Sequence, residues 1–168
     1  MHRFLRKFSS WPRLGFVFAA TAILAWTLWQ AKEEFSFTIG KPTLPDVDVK
    51  AWNLYDHALG YSNYAVEYYL SWIAPLDLIF PLLLFLTLGM ALVLFRSPGR
   101  WPMVPLWAMV FDYAENAAIV SVLLSLDDPF VVIGYWASAL TKLKFALYLL
   151  SLLALLYFGI RSRMSRND

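Results

Sequence analysis

The sequence predicts an all-α integral membrane protein: a four-helix bundle with a partly helical extracytoplasmic loop between its first two spans. Three observations carry this. Composition is the first. Of 168 residues, 60% are hydrophobic and only 15% charged, against about 45–50% and about 25% in ordinary globular chains. A soluble protein of this size has too much surface to hide so much apolar side chain. The second is the arrangement of that material into four runs of about 20 residues, the length of helix that crosses a bilayer core. The third is charge, because basic and acidic chain ends alternate at every crossing.

Residues 1–168 read as a single transmembrane domain with spans at about 14–31, 71–95, 103–126 and 131–160 and an outer loop at 32–70. The N-terminal tail carries Arg3, Arg6, Lys7 and Arg13 and no acid. Span one, Leu14 to Ala31, contains no charge. A basic start before an apolar run also describes a secretory signal peptide. The run is long for one, however, and Trp26 and Trp29 stand where small residues would precede a cleavage site. A retained helix is therefore expected.

The loop at 32–70 is the one long connection. Its first half, with Gly40, Pro42 and Pro45, reads as extended or turn-rich. Ala51 to Leu59 reads as a short amphipathic helix carrying Trp52, Tyr55 and His57, broken by Gly60-Tyr61-Ser62. Ser62 or Asn63 fits the N-cap of a new helix running through Tyr64, Tyr68 and Trp72 into span two. The aromatics suit a segment lying on the outer membrane face or lidding the bundle. Span two is apolar apart from Asp77 and contains Pro75 and Pro81. Span three contains Asp112 and Glu115, and span four Lys142 and Lys144. Arg96 and Arg100 follow span two, Asp127 and Asp128 follow span three, and Arg161, Arg163 and Arg166 follow span four. By the positive-inside rule both termini are cytoplasmic. Trp11, Trp29, Trp72, Trp101 and Trp107 lie near span ends, as an interfacial belt requires.

The absent residues restrict function. Without cysteine there is no disulfide, thiol chemistry or thiolate zinc site. With His2 and His57 alone, in separate segments, neither a multi-imidazole metal site nor a Ser–His catalyst is available. No metal or cofactor is expected. The few basic tail residues suit anionic lipid heads better than nucleic acid, so the lipid bilayer is the expected partner.

The informative residues are the ionisable ones inside the spans. Each costs roughly 2.5–3.5 kcal/mol near the bilayer centre. Asp77, Asp112, Glu115, Lys142 and Lys144 therefore have to face inward, pair, or line a wet cavity. Asp112, Glu115 and Asn116 share one face of span three by i, i+3, i+4 spacing. Ser138, Thr141 and Lys142 fall on span four with similar spacing. Counting from the outer ends at about 1.5 Å per residue, Glu115, Asn116, Thr141 and Lys142 lie about 15–17 Å deep, and Asp112 and Lys144 about 20 Å. Acids and amines thus meet at matched heights on neighbouring antiparallel helices. Lys142 and Lys144 point about 160° apart, so only one enters the cluster deeply. The prolines of span two free carbonyls for nearby donors.

At these residues the chain resembles a family of small four-helix bacterial inner-membrane proteins. The shared pattern is Gly60-Tyr61-Ser62 in the outer loop, Leu76-Asp77 with Phe80-Pro81 in span two, Asp112 with Glu115-Asn116 in span three, and Ala137-Ser138 with Thr141 and Lys144 in span four. The resemblance covers about residues 54–145. It implies that Lys144 is the inward amine and that the protein lies in the bacterial inner membrane; it implies no activity. A looser likeness, of architecture alone, is to the emopamil-binding superfamily, whose bundles place intramembrane acids around lipid-like ligands; no motif of that superfamily is matched.

The cluster Asp77, Asp112, Glu115, Asn116, Ser138, Thr141 and Lys144 fits more than one role. It can simply glue helices together, each bond contributing about 0.6–2 kcal/mol. The sequence favours its binding a lipid-like ligand or a partner helix from another membrane protein. The alternative is proton-transfer chemistry on a lipophilic substrate, with Glu115 moving the proton and Asp112 tuned by Lys144. Ion conduction is disfavoured, because beyond Lys144 span four offers only Tyr148, Ser151 and Tyr157.

Overall fold

A computed structural model describes residues 2–40, 58, 60–125 and 131–164. Among these there is no strand; the regular structure is helical throughout. A short helix α1 (His2–Phe8) leads into α2 (Trp11–Ile39). Helix α3 (Asn63–Tyr68) continues through a wide π turn (Tyr69–Ile73) into α4 (Ala74–Leu94). A 3-10 turn (Trp101–Met103) opens α5 (Val104–Leu124), and α6 (Val131–Met164) completes the bundle. Four of these helical stretches are long and apolar enough to cross a membrane: this is a multi-pass membrane protein by length and composition.

Helix α2 extends eight residues beyond Ala31, where the uncharged run ends. Lys32 does not stop it because its charge is matched by Asp77 from α4. Leu28 and Phe35, one face further along the same helix, are buried. Gly40 ends it in the left-handed conformation that glycine adopts without a Cβ penalty. Ser62 caps α3 as its residue type predicts, its hydroxyl accepting the Ala65 N–H at 3.2 Å. Ahead of it Gly60 stands at φ 85°. The π turn comes directly before Pro75, whose ring and missing N–H disturb regular i→i−4 bonding. The segment expected as an amphipathic helix at 51–59 lies outside the described residues, apart from a buried Ala58. The acidic turn at Asp127 and Asp128 lies outside them as well.

The bundle packs α5 along α6, α4 along α5, and α2 along α4. At one end Phe35, Tyr69, Ile73, Ile119 and Leu123 form an apolar core. Phe35 sits edge-on to both Tyr61 and Tyr69. Tyr68 donates to Glu34 Oε2 at 2.9 Å there, tying α3 to α2. At the opposite end Leu5 of α1 packs with Phe85 and Met90, and Leu92 packs with Ala154 and Phe158. Midway, the hydroxyls of Thr21 and Thr87 meet at 2.8 Å in a buried contact between α2 and α4. Burying a hydroxyl against apolar neighbours is costly unless it is bonded, and each threonine supplies the other's partner.

Outward faces are apolar. Phe16, Ile23 and Trp26 of α2 and Leu149, Leu153 and Leu156 of α6 are exposed. In water such a surface would aggregate; against acyl chains it is the matching solvent. Trp11 and Trp107 are exposed near helix starts, Trp29 is exposed ten residues before the end of the lengthened α2, and Trp72 is exposed in the π turn, whereas Trp101 packs edge-on against Phe158.

Helix α4 ends in a hydrogen-bond pattern usually built on glycine. The Ser97 N–H reaches the Leu92 carbonyl at 3.1 Å and the Arg96 N–H the Val93 carbonyl at 3.0 Å. This is a Schellman cap, which puts its C′ residue in the left-handed region. That residue is Arg96, at φ 57°. A side chain there costs about 1–2 kcal/mol relative to the right-handed conformation.

Candidate functional site

Helical periodicity assembles the polar centre. On α5, Asp112, Glu115 and Asn116 occupy one face and all three are buried, Glu115 with none of its surface exposed. On α6, Ser138, Thr141 and Lys144 occupy the facing side and are buried too. Lys142 is exposed, so Lys144 is the inward amine.

The Lys144 ammonium is shared. It donates to Asp112 Oδ1 at 3.1 Å and pairs with Glu115 Oε2. Asp112 Oδ2 accepts the Tyr148 hydroxyl at 3.0 Å. Glu115 Oε1 faces the Thr141 hydroxyl, which lies 3.0 Å from the Ala137 carbonyl one turn back. Ser138 is buried and donates to the Gly134 carbonyl of its own helix at 3.2 Å. The matched-height expectation thus brings Asp112, Glu115, Thr141 and Lys144 together, while Ser138 lines the same face without a described bond into the cluster.

Asp77 forms a second, adjoining centre. Its side chain is 3.3 Å from the Lys32 ammonium, with both groups largely buried. Its carbonyl accepts the Asn116 amide at 3.1 Å. Pro81 explains that bond. In a regular helix the N–H of residue 81 would serve the carbonyl of residue 77, and proline has no N–H. Asn116 supplies the donor from the next helix. The neighbouring carbonyl of Leu78 accepts the Tyr113 hydroxyl at 2.8 Å. Asn116 Oδ1, by contrast, is buried and accepts no hydrogen bond among the described residues.

Three participants are not legible as site residues in the sequence. Lys32 lies beyond the uncharged run and reads as the start of the loop. Its signal is the spacing Leu28, Lys32, Phe35, Ile39, which keeps it on the buried face of a longer helix. Tyr148 reads as an isolated polar residue; it is four residues beyond Lys144 and so lies one turn along the same face. Tyr113 is adjacent to Asp112 in sequence and gives no signal of its own.

The described residues contain no group of three or more His, Asp or Glu side chains suited to a metal ion. No family model matches the chain, and no curated protein or solved structure matches it either.

Proposed function

We propose that this membrane protein holds one exchangeable proton at Glu115 and that its function is proton handling in the membrane interior. One observation carries the reading: two buried carboxylates, Asp112 and Glu115, share a single ammonium. With Asp77 opposite Lys32, the two centres contain three acids and two amines among the described residues. Two carboxylates that share one ammonium in a dry interior hold a proton more readily than they hold two charges.

Hydrogen-bond counting supports Glu115 as the carrier. A threonine hydroxyl has one proton. When Thr141 gives it to the Ala137 carbonyl, the usual bond of a helical threonine, its oxygen faces Glu115 Oε1 as a second acceptor. A proton on Oε1 resolves that clash, and Oε2 then accepts from Lys144. Asp112 remains the charged partner, held by Lys144 and Tyr148. Asp112, Glu115, Thr141 and Lys144 then each have a partner, and these four groups together carry no net charge. In this arrangement Glu115 is the acid/base group and Asp112 with Lys144 sets its field. The reaction class it fits is proton transfer to a lipophilic substrate.

A second reading, binding of a lipid-like molecule or a partner helix at the cluster, is favoured by the Asn116 amide oxygen. It is a buried acceptor that a ligand hydroxyl or amine would satisfy. Either reading suits residence in a bacterial inner membrane with both termini cytoplasmic, which the alternation of basic and acidic ends supports.

Infrared spectroscopy of the protein in nanodiscs tests the first reading. A carboxylic-acid C=O band is expected at neutral pH and is lost in Glu115→Gln; Asp112→Asn loses it as well, because one acid then faces one ammonium. No such band in the wild type, or its survival in Glu115→Gln, overturns the proposal. For the second reading, an identical co-purifying lipid and protein complement in wild type and Asn116→Ala rules the site out.

A further inference from the structure

We propose that the basic end of the bundle contains a phosphate-binding cavity whose occupant is the headgroup of an anionic phospholipid. The cavity has a volume of about 760 Å³ and forms where α2 begins and where α4 and α6 end. Arg96, Arg161 and Arg163 line it, together with the rings of Trp11, Phe95 and Phe158. It is remote in sequence and structure from the acid/amine cluster and does not depend on the role given to Glu115.

Three features identify the ligand. The first is uncompensated charge. Three guanidinium groups border one space, and no acidic side chain is among the described residues that line it. Like charges gathered this way repel unless an anion lies between them. Guanidinium is the side chain best matched to phosphate, since its planar donors engage two oxygens together. The second is the backbone of Arg96. The residue stands in the left-handed region at φ 57°, at a helix terminus where glycine would fit without strain. Strain of this kind persists where a side chain is needed in a particular place, and here the side chain borders the cavity. The third is the apolar half of the wall. Trp11 meets Phe95 edge-on at 5.7 Å between ring centroids. Beyond the cavity, Leu156 and Ile160 of α6 are exposed. A free phosphate has no use for that surface, whereas the acyl chains of a lipid lie along it. Basic pockets between membrane helices recognise anionic headgroups on this principle.

Native mass spectrometry and thermal melting of the full chain in mild detergent test the assignment. The additives are phosphatidylglycerol, phosphatidylcholine and inorganic phosphate, each titrated separately. Phosphatidylglycerol is expected to remain bound and to raise the melting temperature, while phosphatidylcholine does neither. A rise of equal size from inorganic phosphate alone overturns the lipid assignment. Arg96→Gly is expected to melt higher than wild type without lipid, since the backbone strain is gone, yet to bind phosphatidylglycerol roughly tenfold more weakly for loss of one charged contact. Arg161→Gln with Arg163→Gln, which removes two charged contacts, gives a larger loss of binding without touching the α4 cap. Arg100→Gln, on the same end but outside the cavity, leaves binding unchanged. Equal losses in Arg100→Gln and the cavity variants mean diffuse attraction and overturn the site. So does an Arg96→Gly protein that binds as wild type does.

Discussion

Replacing Lys144 by Met is the perturbation that tests the cluster most directly. The side chains are similar in length, so packing is nearly kept and only the ammonium is lost. Lys144 is 6% exposed, Asp112 5% and Glu115 0%, so water does not take over its role. Among the described residues Asp112 then keeps the Tyr148 hydroxyl at 3.0 Å and no counter-charge. Breaking a buried ion pair from one side costs about 3–5 kcal/mol. At about 2–4 °C per kcal/mol for a chain of this size, the melting temperature falls by roughly 6–20 °C. Lys142→Met, two residues away but exposed, stays within about 0.5 kcal/mol of wild type. Adding Asp112→Asn to Lys144→Met removes both charges and restores most of the loss. The acids themselves are unequal: Asp112→Asn leaves Glu115, the more deeply buried of the two, to give up its proton and serve as the counter-ion, which is costly, while Glu115→Gln is mild because a neutral amide replaces a neutral acid. Melting in detergent or nanodiscs reads all five variants. If Lys144→Met melts with Lys142→Met, or if Asp112→Asn and Glu115→Gln cost the same, the charge assignment is wrong.

The Pro81 and Asn116 bond makes a conditional prediction. Asn116→Ala costs about 1–2 kcal/mol while Pro81 is present, since the Asp77 carbonyl loses its donor. In a Pro81→Ala background the helix supplies that donor itself, and a double-mutant cycle shows the Asn116 cost shrinking. At the second ion pair, Lys32→Met destabilises more than Asp77→Asn. The first variant takes the ammonium from the more buried partner, Asp77, and the second takes the carboxylate from the less buried Lys32, whose long stem lets its head move toward the interface. The order of melting temperatures checks this, and an inverted order counts against the pairing.

Much of the architecture is legible because the bilayer permits so few solutions. Backbone polar groups cannot be left unbonded in hydrocarbon, so runs such as Leu78 to Phe95 become helices whatever their neighbours do. The common face of Asp112, Glu115 and Asn116 follows from the 3.6-residue period. The cap at Ser62 follows from the residue type. Lys32 shows where such reading ends. A charge marks the end of an apolar run only while its partner is unknown, and Asp77 is 45 residues further along the chain. The choice of Lys144 over Lys142 is of the same kind. Periodicity says that one of them turns away, but which one depends on the rotation of α6 against α5.

What the sequence determined by itself is the solvent, the helices and the set of charges that have to be hidden, since these follow from local composition and the cost of exposing polar groups to lipid. What only the tertiary structure decided is which charge meets which. Lys144 lies between two acids, Asn116 serves the carbonyl that Pro81 left without a donor, and three arginines, one just past the end of α4 and two on α6, border one cavity. Pairing depends on distances between segments far apart in the chain, and these are fixed only when the helices pack.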